Sequence, residues 1–270
     1  MRKTLLPVLL ALVLLAAPAH AAQRLLLATT TSTANSGLLD VLLPAFTKAS
    51  GITVHALPVG TGKALAIARR CDADVVMVHA PALEKRFVAQ GYGVDRRPLM
   101  HNYFAIVGPP GDPAHIKGLD PVRALKAIAA HKARFLSRGD NSGTNVKELA
   151  LWKAAGIKPD WPGYQEGGRG MGATLTMAGE LGAYTLSDIG TFLKYKSVGK
   201  LGLVVLVTNH ELLKNPYSVI LVNPARCPKV KVKAARAFMD FLTSPRGRAI
   251  IAGYRAGGKQ LFWPDQAPVR

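Results

Sequence analysis

One guanidinium, three hydroxyls and several backbone N–H groups share the turn Phe135-Leu136-Ser137-Arg138-Gly139-Asp140-Asn141-Ser142-Gly143-Thr144. The pattern predicts a strand end, a turn and a helix opening near Gly143. The first N–H groups of a helix lack internal partners and lie at the positive end of its dipole, so this corner can seat a small oxyanion. Arg138 adds a charge-assisted donor. Asp140 is expected to buttress Arg138 or cap the helix, because a bare carboxylate would repel an anion. Two similar corners occur at Thr29-Thr30-Thr31-Ser32-Thr33 and Val59-Gly60-Thr61-Gly62-Lys63. Three in one chain point to a protein that wraps an anion.

Other chemistries fit poorly. Leu57 stands where a nucleotide phosphate loop needs its first glycine, and Ala64 where it needs a magnesium-holding hydroxyl. Acidic residues are sparse, and there is no His-x-x-x-His pair and no Gly-x-Ser-x-Gly elbow. Ser142 and His79 would make a nucleophile and base only with an orienting acid that the sequence does not display. A secreted serine hydrolase is therefore a weak alternative, and the chain is expected not to be an enzyme. Gly167-Gly168-Arg169-Gly170-Met171-Gly172 reads as a turn into the helix at Ala173-Thr174-Leu175, and Tyr184-Thr185-Leu186-Ser187-Asp188 as a strand entering a helix. Packing or capping would explain either one by itself.

The elements that must position these corners alternate along the chain. Leu25–Ala28, Ile52–Val59 and Ala73–Val78 read as strands, with helices through Leu38–Phe46, Lys63–Arg70 and Glu84–Gln90. That order predicts a parallel α/β sheet with its ligand at the carboxyl ends of the strands, where the first two anion corners and His79 fall. Tyr103–Val107 is a further strand, followed by a Pro/Gly-rich break. A second α/β set runs from Val122 to about Val198, then strands at Leu201–Val207 and Ser218–Val222, then helices at Ala234–Leu242 and Gly247–Ile251. Two lobes around a cleft would follow.

Residues 1–21 read as a signal peptide: Arg2 and Lys3, an apolar run from Leu5 to Ala17, and Ala19-His20-Ala21 before the expected cut. Export to a bacterial periplasm is expected, without a lipid anchor. The formal charge is +19 over 270 residues. The basic residues are scattered without interleaved aromatics, which argues against nucleic acid as partner. A field that steers small anions suits them better. Cys71 and Cys227 are expected to be two separate thiols, though an oxidising compartment permits pairing.

On these residues the chain resembles the tungstate-binding proteins that feed bacterial tungstate ABC transporters. The motifs are Thr29-Thr30-Thr31-Ser32, Asp74-Val75-Val76-Met77-Val78-His79-Ala80-Pro81, Ser137-Arg138-Gly139-Asp140 with Ser142-Gly143-Thr144, Gly170-Met171-Gly172-Ala173-Thr174-Leu175, and Tyr184-Thr185-Leu186-Ser187-Asp188. They occur in order across nearly the whole mature chain. The resemblance implies a two-lobed type II periplasmic-binding-protein fold, each lobe a sheet flanked by helices with a ligand cleft between. It divides the chain into 22–104 with 208–270 as lobe 1, and 105–207 as lobe 2.

Carried over residue by residue, Thr31, Ser32, Thr61 and Gly62 would donate from the first lobe, and Arg138, Ser142, Gly143 and Thr144 from the second. His79 and Thr174 are further candidates. No cofactor and no metal are implied; the ligand would be tungstate, with molybdate or sulfate as alternatives in the same fold. A sensor domain without transport is a further reading. The implied partners are an ABC permease and its ATPase, with the receptor a monomer. Asn141, Asn145 and Ile189 depart from the family pattern, where an acid, a histidine and an arginine are expected. His79 stands where related phosphate-binding proteins place an acidic acceptor. Hydrogenphosphate needs such an acceptor, whereas tungstate, molybdate and sulfate want donors alone.

Overall fold

A computed structural model describes residues 24–199 and 201–265. The expected signal peptide and its cleavage point lie outside the described residues. The first lobe opens with β1 (Arg24–Thr30), α1 (Thr31–Asn35), α2 (Leu39–Ser50), β2 (Thr53–Val59), α3 (Thr61–Arg69), β3 (Val75–Val78) and α4 (Pro81–Ala89). β1 lies between β2 and β3, parallel to both. Leu25, Leu27, Ala28 and all of β3 are buried, which is why these strands are continuous apolar runs rather than alternating ones.

The chain then crosses on β4 (Gly93–Gly108), a 16-residue strand. Its final part was legible as Tyr103–Val107. Its first part was not, because Asp95-Arg96-Arg97-Pro98 interrupts the apolar pattern and the pairing bulges there, between Val94 and Arg97 and between Pro98 and Met100. The second lobe contains α5 (Pro121–Ala130), β5 (Phe135–Ser137), α6 (Gly143–Ala154), β6 (Tyr164–Glu166), α7 (Met171–Leu181), β7 (Thr185–Asp188), α8 (Ile189–Ser197) and β8 (Val204–Val207). Both β7 and β8 pair antiparallel with the end of β4. Successive β4 side chains serve opposite faces of this sheet: Phe104 and Ile106 join one apolar cluster, Ala105 and Val107 another.

The chain returns on β9 (Lys214–Val222), antiparallel to both β4 and β3. The first-lobe sheet is therefore mixed, not parallel as expected. The parallel reading failed because the return strand enters from the hinge and runs opposite to its neighbours. α9 (Val232–Thr243) covers the sheet with Ala234, Ala235, Phe238, Met239 and Leu242, one face of an amphipathic helix. α10 (Pro245–Gly253), β10 (Arg255–Ala256), β11 (Lys259–Gln260) and β12 (Trp263–Pro264) complete the lobe, with β12 on the edge of β4. The first core draws on residues from Leu25 to Met100 and from Tyr217 to Phe262. The other two draw on Phe104 to Leu213.

Cys71 and Cys227 form a disulfide, which corrects the expectation of separate thiols. Cys71 follows α3 in the left-handed region (φ 66°), and Cys227 lies buried just after β9. Folding brings their Cα atoms to 5.3 Å across a sequence separation of 156, which linear spacing does not reveal.

Candidate functional site

Each anion corner is a strand or loop that ends by starting a helix. At the end of β1, Thr30 is the N-cap of α1 and its Oγ1 accepts from Thr33 N at 3.1 Å. The next two hydroxyls, Thr31 Oγ1 and Ser32 Oγ, are buried with no hydrogen-bond partner. Gly60 caps α3 without a side-chain bond and leaves Thr61 Oγ1 in the same condition. Ser142 caps α6, its Oγ accepting from Asn145 N at 3.2 Å, and Thr144 Oγ1 is the fourth unpartnered hydroxyl. A buried polar atom without a partner is costly, and most such atoms are paired. Among the described residues, these are the four buried side-chain N/O atoms that lack one.

The corners face one another across the lobe seam. Thr31, Gly60, Arg138 and Gly170 line one cavity of about 250 Å³, with Lys63 and Arg169 also on its wall. A Cβ on Gly60 would stand 3.8 Å from Ser142 Cβ, and one on Gly170 3.9 Å from Thr31 Oγ1. One on Gly143 would meet the His79 ring at 2.8 Å, so the bare Gly143 backbone is what lets the lobes approach there. By their helix positions, the N–H groups of Gly62, Gly143 and Thr144 have no intrahelical acceptor.

Arg138 is 2% exposed. Its Nη2 donates to Asp140 Oδ2 at 2.5 Å and its Nε to the Arg169 carbonyl at 3.3 Å. Nη1 is the remaining nitrogen of the fork. Asp140 Oδ1 accepts from Ser142 N at 3.1 Å, so this carboxylate both orients the guanidinium and tightens the turn. Burial lowers the Arg138 pKa, while Asp140 and Asp188 oppose the shift; an arginine stays cationic through such a change. The corner combines one oriented cation, hydroxyls and N–H dipoles.

Two candidates serve from behind. His79 Nδ1 lies 2.9 Å from Asn215 Oδ1, and Nε2 3.2 Å from Thr30 Oγ1. Asn215 Nδ2 donates to Asn102 Oδ1 and Asp188 Oδ2, so Asn215 Oδ1 is the acceptor and His79 Nδ1 carries the proton. Burial brings the His79 pKa down to about 4, against the Asp188 charge and the Asn215 bond. The neutral ring therefore accepts from Thr30 at Nε2 and has no donor left for a ligand. Thr174 Oγ1 donates to the Gly170 carbonyl at 3.1 Å, so its proton stays within its own helix. Neither residue is placed as a free donor. Ser142 and His79 make no bond to each other, which removes the base from a hydrolase reading.

Sequence reasoning missed the polar ladder in the hinge. Asp188 Oδ2 accepts from Asn102 Nδ2 at 2.7 Å, Asn215 Nδ2 at 3.1 Å and Tyr217 Oη at 3.0 Å, while Oδ1 caps α8 at Thr191 N. Asn102 and Asn215 are opposite one another in the β4–β9 register. The only local signal was two asparagines inside strands. Of the departures, Ile189 is half-buried against the core, and Asn145 holds the turn by donating to Ser137 Oγ and accepting from Asn141 N.

Ser137 in turn donates to Glu148 Oε2 at 2.7 Å, and Glu148 Oε1 accepts from Trp152 and Tyr164. Burial raises the Glu148 pKa from 4.5 to about 7. Between those values the folded chain keeps a proton that the unfolded chain has released, so this group's contribution to stability falls as pH rises through the window. Glu148→Gln is expected to stabilise the protein at pH 8 by about 1–3 kcal/mol and to have little effect near pH 4. Urea unfolding at both pH values measures this; a less stable Gln variant at pH 8 would contradict it.

The sequence matches the PBP superfamily domain over residues 17–246. Tungstate-binding protein TupA of Peptoclostridium acidaminophilum is 46% identical over 248 residues, covering 90% of this chain and 86% of that protein. The crystal structure of the tungstate ABC transporter from Geobacter sulfurreducens superposes with a TM-score of 0.80 at 49% identity, covering 86% of this chain and 98% of that one. TupA from Desulfovibrio alaskensis G20 gives 0.77 at 47%, covering 91% and 100%. The cleft lined by helix starts, its buried arginine and these likenesses agree: the chain belongs to the TupA family of tungstate-binding proteins, with the type II periplasmic-binding-protein fold.

Proposed function

We propose that this chain binds tungstate between its lobes and delivers it to an ABC permease and its ATPase. The observation that carries the reading is the set of four buried, unpartnered hydroxyls beside one buried arginine. In this reading Thr31, Ser32 and Thr61, with Gly62 N–H, donate from 22–104 plus 208–270. Arg138, Ser142, Thr144 and Gly143 N–H close over the anion from 105–207. These donors replace the hydration shell of a dianion, and closure excludes the water that would weaken them. Both Asp140 oxygens are engaged, which leaves no ready acceptor for the proton of hydrogenphosphate. Family membership favours tungstate over molybdate and sulfate.

The disulfide suits an oxidising periplasm, and no helix among the described residues is long and apolar enough to cross a membrane. Export by cleavage after residue 21 and action as a monomer complete the reading. Isothermal titration of stripped protein with tungstate, molybdate, sulfate and phosphate tests it. Tight one-to-one tungstate binding with weak phosphate binding is expected; silence toward all four would end the transport reading.

The hydroxyls allow a test with opposite signs. Thr61→Val or Thr144→Val removes a buried group that lacks a partner in the empty protein, so its stability should hold or rise by up to about 1 kcal/mol. Tungstate affinity should fall by about 1.5–3 kcal/mol, the worth of a hydrogen bond to a charged group. Thermal unfolding of the empty variants and calorimetric titration measure the two. A variant that loses stability but binds normally would make the hydroxyl structural.

A further inference from the structure

A groove of about 680 Å³ opens between α3 and α4, away from the oxyanion cavity. Leu65 and Leu83 line it, and Arg69 and Arg86 lie along it with exposed side chains. Arg69 Nη2 donates to Gln90 Oε1 at 3.1 Å, and its guanidinium stands 5.4 Å from the Tyr92 ring centroid. Arg226 lies over the same ring at 4.6 Å. Stacking on an aromatic ring holds a long cationic side chain in place. Among the described residues none of these three arginines has a carboxylate within 4.0 Å, although the chain pairs Arg96 with Glu84 and Arg97 with Asp95 nearby. Like charges fixed together without a counter-ion repel one another, and an incoming carboxylate relieves that repulsion.

The groove also reaches the lobe seam. Gly62 of the first lobe and Asn141 of the second both line it, and a Cβ on Gly62 would lie 2.9 Å from Asn141 Nδ2. Its wall is complete only where the lobes meet.

We propose that this groove is a docking surface for a carboxylate-rich protein segment, engaged when the lobes are closed. Guanidinium forks take carboxylates bidentately. Tyr92 and the two leucines supply apolar contact beneath them, and the volume suits several side chains rather than a single oxyanion. The inference rests on the receptor reading in one respect: the partner would distinguish loaded from empty receptor by Asn141 at the seam.

The test compares Arg69→Glu/Arg86→Glu with a control of equal charge change in the second lobe, Lys153→Glu/Lys158→Glu. Each is titrated with tungstate by calorimetry and with a fluorescein-labelled oligoglutamate peptide by anisotropy at low salt, with and without saturating tungstate. Wild type is expected to bind the peptide about tenfold more tightly when loaded, and the groove variant to lose about tenfold or more in peptide affinity. Tungstate affinity should stay within about threefold in both, since rim charges act mainly on the partner. Arg69→Ala/Arg86→Ala provides a milder version should the charge reversal fail to fold. Equal peptide binding by groove variant and control, no peptide binding by wild type, or no effect of tungstate on it would overturn the proposal. Absence of tungstate binding in wild type would instead overturn the receptor reading, and the peptide comparison without tungstate would still decide whether the groove takes carboxylates.

Discussion

Arg138→Ala is expected to weaken tungstate binding by about 3 kcal/mol or more, on the order of a hundredfold. Two losses combine. The anion loses a charge-assisted donor, worth about 1.5–3 kcal/mol. Asp140, whose Oδ2 accepts from the guanidinium, then faces the cavity as an uncompensated carboxylate and repels the incoming dianion. The second loss can be isolated: Arg138→Ala/Asp140→Ala should recover part of the affinity, because the repelling group has gone. Arg138→Lys keeps the charge but cannot hold both Asp140 and the Arg169 carbonyl as the fork does. Calorimetric titration of the three variants, with circular dichroism to verify folding, decides the matter. Undiminished affinity in Arg138→Ala would remove this residue from the site.

The Cys71→Ser/Cys227→Ser variant is expected to lose about 2–5 kcal/mol of stability, towards the upper end because the bond closes a long loop. The bridge ties the end of α3 to the segment after β9, across a separation of 156 residues. Tungstate affinity of the folded variant should change little, since Thr61 stands at the other end of α3, about 13 Å away by helix rise. Guanidinium unfolding of the variant and of wild type, together with reduction of wild type by dithiothreitol, measures the effect. A stability change below about 1 kcal/mol would show that the bridge adds little beyond the packing around it.

Local signals account for what the sequence disclosed. A strand that runs into a hydroxyl-rich turn and then a helix can be read residue by residue, which is why the corners at Thr31, Thr61 and Arg138 were visible. Partnerships made by the fold were not. Nothing near His79 announces that Asn215 will fix its tautomer or that Thr30 will occupy its other nitrogen. Asp188 looked like the end of an ordinary strand, yet it anchors the hinge through three donors from β4 and β9. The same limit hid the cysteine pairing. The early part of β4 escaped for a different reason: a charged segment with a proline and bulged pairing carries no clean period of two.

β4 belongs to both halves of the molecule. Leu99 and Met100 are buried in the first core, and Phe104 to Val107 in the other two, with no turn between them. A half that melted would draw a strand out of its neighbour, so the halves are bound to unfold together. The chain should show one calorimetric transition, and an anion held in the cleft should raise the stability of all of it. Proteolytic lifetime then becomes a property of occupancy: the loaded protein, opening less often, outlasts the empty one.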